Sequence, residues 1–139
     1  MTPGEENNNP GSIREMPSER TLWLGERADA DDRMKKFETA SDGLQRLAML
    51  LLDYQRRGLY TIERIIGRWA APPDENDVEA YIAAVCNRTN RDRKELLNLA
   101  QDRRTFLLLI VAIIQQENGR CIYLNRSIAD AIDKVVPRC

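Results

Sequence analysis

The nine residues from Phe106 to Ile114, FLLLIVAII, constrain this chain more than any other segment. No polar residue interrupts them, so an element built from them must be buried on every side. Crossing a bilayer takes about 20 consecutive apolar residues, and this run is far shorter. It therefore reads as a helix through the middle of a globular core. Asp102 precedes it at N-cap spacing, and Asn118-Gly119 follows as a stop.

A buried helix needs neighbours that each offer an apolar face. Leu44, Leu47, Ala48, Leu51 and Leu52 recur at helical spacing from Ser41, with Gly58 placed as a C-terminal glycine. A second helix is predicted in TIERIIGRW, N-capped by Thr61, with Ile62, Ile65, Ile66 and Trp69 on one face and Ala71-Pro72-Pro73 as its stop. A third begins near Asn76, which has capping-box spacing to Glu79, and runs through Tyr81, Ile82 and Val85. A short helix over about Arg91–Leu99 comes next, then the central one, then a last helix from Asn125 to Pro137. Residues 1–9 are polar and expected to be mobile. Residues 10–40 are rich in turn formers and read as irregular, or as a short β-hairpin around Leu22–Gly25 and Met34–Phe37 with Asp29, Asp31 and Asp32 at its turn. The expected architecture is one mainly α domain of about six helices, with residues 41–136 as the helical body.

Composition narrows the chemistry. At 139 residues, 42% hydrophobic and 31% charged, the chain fits a single soluble globular domain. It has no histidine, which removes Ser–His and Cys–His nucleophile pairs and disfavours a zinc site. Acid–base chemistry would have to rest on carboxylates. Cys86, Cys121 and Cys139 are odd in number and widely spaced, so reduced thiols are expected, with no metal and no cofactor. The polar, acidic N-terminus does not read as a signal peptide. The net charge of −1 favours neither nucleic acid nor a membrane, although residues 1–43 carry −4 and residues 44–139 carry +3.

Three motifs occur in order along the chain. The first is Asn7-Asn8-Asn9-Pro10-Gly11-Ser12-Ile13-Arg14. The second runs from Leu52-Asp53-Tyr54-Gln55 through Gly58-Leu59, Thr61-Ile62, Ile65-Ile66, Arg68-Trp69-Ala70, Pro72 and Glu75-Asn76-Asp77 to Ala80-Tyr81-Ile82 and Val85. The third is Ile113-Ile114-Gln115-Gln116-Glu117-Asn118-Gly119. Together they resemble the lysozyme-like "structural protein" family that bacteriophages carry in their virions. Ser12 stands where that family has an asparagine, and Arg120-Cys121-Ile122-Tyr123 stands where it has a proline after the third motif. The resemblance implies a lysozyme-like helical domain. It also implies a virion location after synthesis in the host cytoplasm, with peptidoglycan and other virion proteins as partners and a homo-oligomer as a further option.

Glu117 is the candidate catalytic residue. A glycosidase needs a carboxylic acid that stays protonated near neutral pH and protonates the glycosidic oxygen as the bond breaks. Glu117 directly follows the most apolar segment, at a helix C-terminus, where burial and the helix dipole both disfavour a negative charge. In lysozyme-like proteins the catalytic glutamate ends a buried helix and an asparagine-rich turn follows it. Here that turn stands at the other end of the chain, which resembles a circular permutation. Asn8, Asn9 and Ser12 would then face Glu117 as substrate-binding partners, because chain ends often meet. The same Glu-Asn-Gly string also fits an ordinary helix terminus capped by Asn118 or Gly119.

The second carboxylate is open among Glu15, Glu19, Glu26 and the Asp29–Asp32 cluster, each of which also reads as a loop charge. Tyr54, Tyr81 and Tyr123 read as cleft linings or part-buried hydroxyls, with Tyr123 taken as a substrate-binding candidate. Trp69 fits a sugar-stacking platform but, in line with Ile62 and Ile66, fits the core better. Arg88, Arg91, Arg93 and Lys94 form a basic cluster that reads as a solvated face. Two functions remain: a peptidoglycan-cleaving glycosidase of lysozyme or lytic transglycosylase type, used to penetrate the host cell, and a non-catalytic virion structural or assembly protein with the same fold.

Overall fold

The computed structural model describes residues 1–13, 36–69 and 75–136, with the side chains of residues 75 and 76 excepted. Six α-helices occur among them: α1 (Pro3–Glu6), α2 (Ala40–Arg56), α3 (Ile62–Trp69), α4 (Glu75–Thr89), α5 (Arg103–Asn118) and α6 (Asn125–Val135). No strand occurs among the described residues. The expected hairpin lies outside them apart from Lys36 and Phe37, as do the stops at Ala71–Pro73 and Pro137.

The apolar run forms most of α5, and no residue from Thr105 to Ile114 is exposed. Asp102 caps it, its carboxylate accepting from the Thr105 N–H at 3.1 Å, and Gly119 closes it in the left-handed conformation at φ 79°. Helix α5 packs on α4 and α6, α4 on α3, and α3 and α6 on α2, so five helices close a ring around the core. Leu44, Leu51, Ile62, Ile65, Ile66, Phe106, Leu109 and Ile110 are fully buried there. Each such side chain contributes about 1.5–3 kcal/mol of transfer free energy. No helix among the described residues is long and apolar enough to cross a membrane.

Gly58 and Thr61 stand at helix ends as expected, whereas Asn76, read as opening a helix by a capping box, lies inside α4, which begins at Glu75. Thr39 caps α2, its hydroxyl accepting from the Asp42 N–H at 3.1 Å. After Arg56 the Leu59 N–H reaches back to Tyr54 O and the Gly58 N–H to Gln55 O, each at 3.0 Å, with Gly58 at φ 93°. That paired pattern ends a helix with a left-handed glycine. The Thr61 hydroxyl accepts from the Arg64 N–H at the start of α3.

Two expectations need correction. Residues 91–99 form turns and extended backbone, not a helix. Their backbone is tied sideways: Leu97 N–H donates to Tyr60 O at 2.7 Å, Arg93 O accepts from Glu63 N–H at 3.2 Å, and Leu99 N–H donates to Gln55 Oε1 at 3.0 Å. Leu97 and Leu99 are buried while Leu96 is exposed, an alternation that suits an extended segment. The polar residues 1–9, read as mobile, are docked on the body. They form a capped helical turn that packs on α5, and Gly4, Glu5 and Asn9 are buried.

Gly43 shows how close this docking is. A Cβ on Gly43 would lie 1.9 Å from Asn8 O and 2.9 Å from Pro10 Cδ. In an unobstructed helix, Gly→Ala stabilises by up to about 1 kcal/mol. Here the obstacle is backbone, so Gly43→Ala should instead destabilise by roughly 1–3 kcal/mol. Chemical denaturation checks this by its sign; a more stable Gly43→Ala protein would show that the N-terminal segment does not sit there.

Candidate functional site

The N-terminal segment meets the C-terminus of α5. Asn118 is the junction. Its Nδ2 donates to Pro10 O at 2.8 Å and to Ile114 O, one turn back, at 3.0 Å. Its Oδ1 accepts from the Thr2 hydroxyl at 2.6 Å. Thr2 caps α1 in a capping box: its Oγ1 accepts from the Glu5 N–H at 3.2 Å, and the Thr2 N–H donates to Glu5 Oε1 at 2.9 Å. Arg120 then closes over the outside, its Nε and Nη2 donating to the two oxygens of Glu5 at 3.2 and 3.1 Å. Planar, two-pronged pairs of this kind fix geometry as well as charge.

The loop behind this junction holds its own shape. Asn8 and Ser12 adopt positive φ, 53° and 52°, a region that asparagine tolerates better than most residues. Asn8 Nδ2 donates to Phe37 O and Glu38 O, both at 3.1 Å. Asn9 is fully buried, and its amide pairs both ways with the backbone of Ile13, at 2.8 Å each. Gly11 lies against Leu47 and Trp69, where a Cβ would come within 3.0 and 3.1 Å of their side chains. The amides of Asn8 and Asn9 thus shape the loop.

Glu117, the residue before Asn118, meets α4. Its Oε2 accepts from the Tyr81 hydroxyl of α4 at 2.9 Å. Glu117 is half-buried. Tyr81 is buried, and its phenol is pushed well above the usual tyrosine range, first by burial and then by the charge and hydrogen bond of Glu117. The Trp69 indole acts in the opposite sense on the same hydroxyl. Trp69 also meets Tyr54 edge to face, with ring centroids 6.3 Å apart. Trp69 is therefore part of the core margin and a neighbour of the candidate acid. Tyr123 is half-buried, its phenol raised first by burial and then by Glu5 and Cys121, which places it near the Glu5–Arg120 side of the junction.

Sequence reasoning expected Asn8, Asn9 and Ser12 to face Glu117; the bonds that bring the N-terminal loop to this helix end run from the neighbouring Asn118 to Thr2 and Pro10, a role the sequence did not give Asn118. It left Tyr81 undecided, and only the packing of α4 on α5 assigns it a partner. The basic cluster proves self-neutralised in large part. Arg91 pairs with Glu95 at 2.7 Å and with Asp102 at 3.4 Å. Arg93 pairs with Glu63 at 2.7 Å and with Glu79 at 2.8 Å. Two of the hollows formed by described residues bear on this. One, of about 550 Å³, lies beside Leu52, Tyr60, Leu96 and Asn98, and the other lies between Arg104, Leu107 and Ile132. Neither is lined by Glu117. Among the described residues no cluster of Cys, Asp and Glu is arranged to hold a metal, and Cys86 and Cys121 are free thiols.

A small, mainly helical protein whose terminal motifs close on one another is thus the class that fold and site define. No protein-family model matches the chain. Over 118 residues, 84% of this chain and 71% of the relative, it is 40% identical to Protein P5 of Pseudoalteromonas phage PM2. The chain belongs to the family of that bacteriophage protein.

The Glu5–Arg120 pair makes the junction sensitive to acid. Arg120 first, then the Thr2 N–H, hold the Glu5 carboxyl at about 2, against an ordinary value of 4.5. A carboxyl depressed by folding contributes stability that is complete above its unfolded value and is lost as pH falls through its folded value. Glu5→Gln keeps an acceptor for Thr2 but not the charge. The melting temperature of the wild type should therefore exceed that of Glu5→Gln at neutral pH, and the gap should close between pH 4.5 and about 2. Melting curves that run parallel over that window would rule out a folded-state ion pair.

Proposed function

We propose that this protein is a virion-associated phage component, a single lysozyme-like domain over residues 1–139. In this reading it cleaves peptidoglycan during penetration of the host cell, with Glu117 as general acid and base. The family supports a phage protein. One observation carries the rest: the asparagine turn and the Glu-Asn-Gly signature, more than a hundred residues apart in sequence, are joined by the 2.8 Å bond from Asn118 to Pro10. That juxtaposition is what a circularly permuted lysozyme-like site requires. Glu117 supplies a half-buried carboxyl at the end of the most apolar helix, bonded to Tyr81.

In this reading Glu117 gives its proton to the glycosidic oxygen as the bond breaks. It then takes a proton from water in a lysozyme, or from the sugar's own hydroxyl in a lytic transglycosylase, where no second carboxylate nucleophile is needed. Asn8, Asn9, Ser12 and Tyr123 remain the residues proposed to border the sugar, with Asn8 and Asn9 acting mainly through the backbone they shape. Other virion proteins, or further copies of the chain, are the proposed protein partners, and synthesis takes place in the host cytoplasm.

A second reading draws on a different observation. The side-chain amides of Asn8 and Asn9 are bonded to the chain's own backbone, as they would be in an assembly protein that keeps the fold without the activity. Zymography on purified peptidoglycan separates the two. The wild type should lyse it, and Glu117→Gln should lose activity by roughly a hundredfold or more, the usual worth of a positioned acid, with little change in melting temperature. Full lysis by Glu117→Gln would move the chemistry elsewhere, and an inactive wild type would favour the assembly role.

A further inference from the structure

Asn118 holds the N-terminal segment, and it is also the one asparagine in the sequence that a glycine follows. The backbone nitrogen of the next residue can attack an asparagine side chain. Glycine in that position lacks the side chain that would obstruct the approach, and its backbone turns freely. The other asparagines are followed by Asn, Pro, Asp, Arg or Leu, so Asn118-Gly119 is the most susceptible pair in the chain. The fold holds it out of reaction. The Gly119 N–H, whose nitrogen would be the nucleophile, donates to Gln115 O at 2.7 Å. Both hydrogens of Asn118 Nδ2, the leaving group, are engaged, by Pro10 O at 2.8 Å and Ile114 O at 3.0 Å. Oδ1 takes the Thr2 hydroxyl. Asn118 is only 8% exposed, and the N-terminal turn lies against it: a Cβ on Gly4 would come within 2.7 Å of Asn118 Oδ1. Thr2, Gly4 and Pro10 all belong to the N-terminal segment.

We propose that Asn118-Gly119 is a site of spontaneous deamidation that the docked N-terminal segment keeps closed, and that its conversion releases that segment irreversibly. When the segment lifts and the end of α5 frays, the Gly119 nitrogen loses its proton to base and bonds to Cγ of Asn118. The Cγ–Nδ2 bond breaks, and Nδ2 leaves as ammonia with protons taken from the solvent. A five-membered succinimide remains. Water then opens one of its two carbonyls, leaving aspartate or isoaspartate at 118. Water is the only co-reactant, and nothing is oxidised or reduced. The product cannot remake the junction. An ionised carboxyl has no hydrogen to donate, so an oxygen comes up against Pro10 O and Ile114 O where Nδ2 had bonded them. Its negative charge also falls at the C-terminus of α5, where the helix dipole opposes it. Isoaspartate further lengthens the backbone ahead of Gly119 by one carbon. The docked form thus guards the residue that docks it, and a single event ends the arrangement.

Peptide mapping by mass spectrometry follows the conversion at 118 over time, in the folded wild type and in denaturant at the same pH and temperature. The unfolded chain should convert at 118 before any other asparagine. The folded chain should convert roughly a hundredfold more slowly or less, because three side-chain bonds must open first. Thr2→Ala removes one of them and should speed the folded reaction roughly two- to tenfold. Gly4→Ala, which crowds Asn118 Oδ1 and Asn9 O, should speed it as well. Asn118→Asp makes the product directly. A glutamate-specific protease should cut it after Glu5, which is buried in the docked form, under conditions that leave fresh wild type intact there. An unfolded chain that does not convert at 118 would show that there is no such site. Equal rates in folded and unfolded wild type, a comparison that needs no variant, would show that the fold does not close it. Unchanged rates in folded Thr2→Ala and Gly4→Ala would remove the N-terminal segment as the guard, and an Asn118→Asp protein still protected at Glu5 would overturn the release.

Discussion

Asn118 occupies the one position where an amide can serve the helix behind it and the chain in front of it together. It is buried and it keeps the turn of α5 through Ile114 O. With its remaining groups it takes the Thr2 hydroxyl and gives to Pro10 O. Buried polar groups are costly unless satisfied, and an apolar residue at 118 would take these bonds from Thr2 and Pro10. The Glu5–Arg120 pair and the close approach to Gly43 both presuppose that the first dozen residues lie where Asn118 helps to put them. The N-terminal segment carries few apolar side chains of its own, Pro10 and Ile13 being the buried ones. Its place is therefore set by directional bonds more than by area.

The helical body was legible because its signals are local. Thr61 and Asp102 cap from fixed offsets, Gly58 and Gly119 terminate by positive φ, the apolar residues of α2 and α3 repeat at the period of a helix, and those of α5 run unbroken. Residues 91–99 misled because Leu96, Leu97 and Leu99 look apolar enough for a helix. Their backbone partners, Tyr60 and Gln55, lie more than thirty residues away, and no local pattern announces them. The N-terminal turn misled for the opposite reason. Its polarity suggested a solvated tail, whereas Thr2, Glu5 and Asn8 have long-range partners in Asn118, Arg120 and the backbone of Phe37 and Glu38. At the candidate site, Glu117 was legible from its place after the apolar run. Tyr81 was not, because a tyrosine in a helix gives no sign of which neighbouring helix it faces.

Two adjacent residues divide the work at the end of α5. Asn118 helps to fix where the asparagine turn lies. Glu117, bonded to Tyr81, brings a carboxyl to the same helix end. Membership in the family of a phage protein sets the biological frame, and the proposed glycan chemistry depends on both being in place. A carboxyl without the docked turn would lack its border, and a docked turn without a carboxyl would be a structural joint only.

The central claim is that Asn118 holds the N-terminal segment on α5, and native-state hydrogen exchange tests it most directly. Asn118→Leu keeps the volume and removes the three side-chain bonds. The account predicts that the amides of Asn9, Ser12 and Ile13, which are bonded within the N-terminal loop, lose most of their protection in the variant. The amides of Leu109, Ile110 and Ile113 in α5 should keep theirs. Unchanged protection at Asn9, Ser12 and Ile13 in a folded Asn118→Leu protein would contradict it.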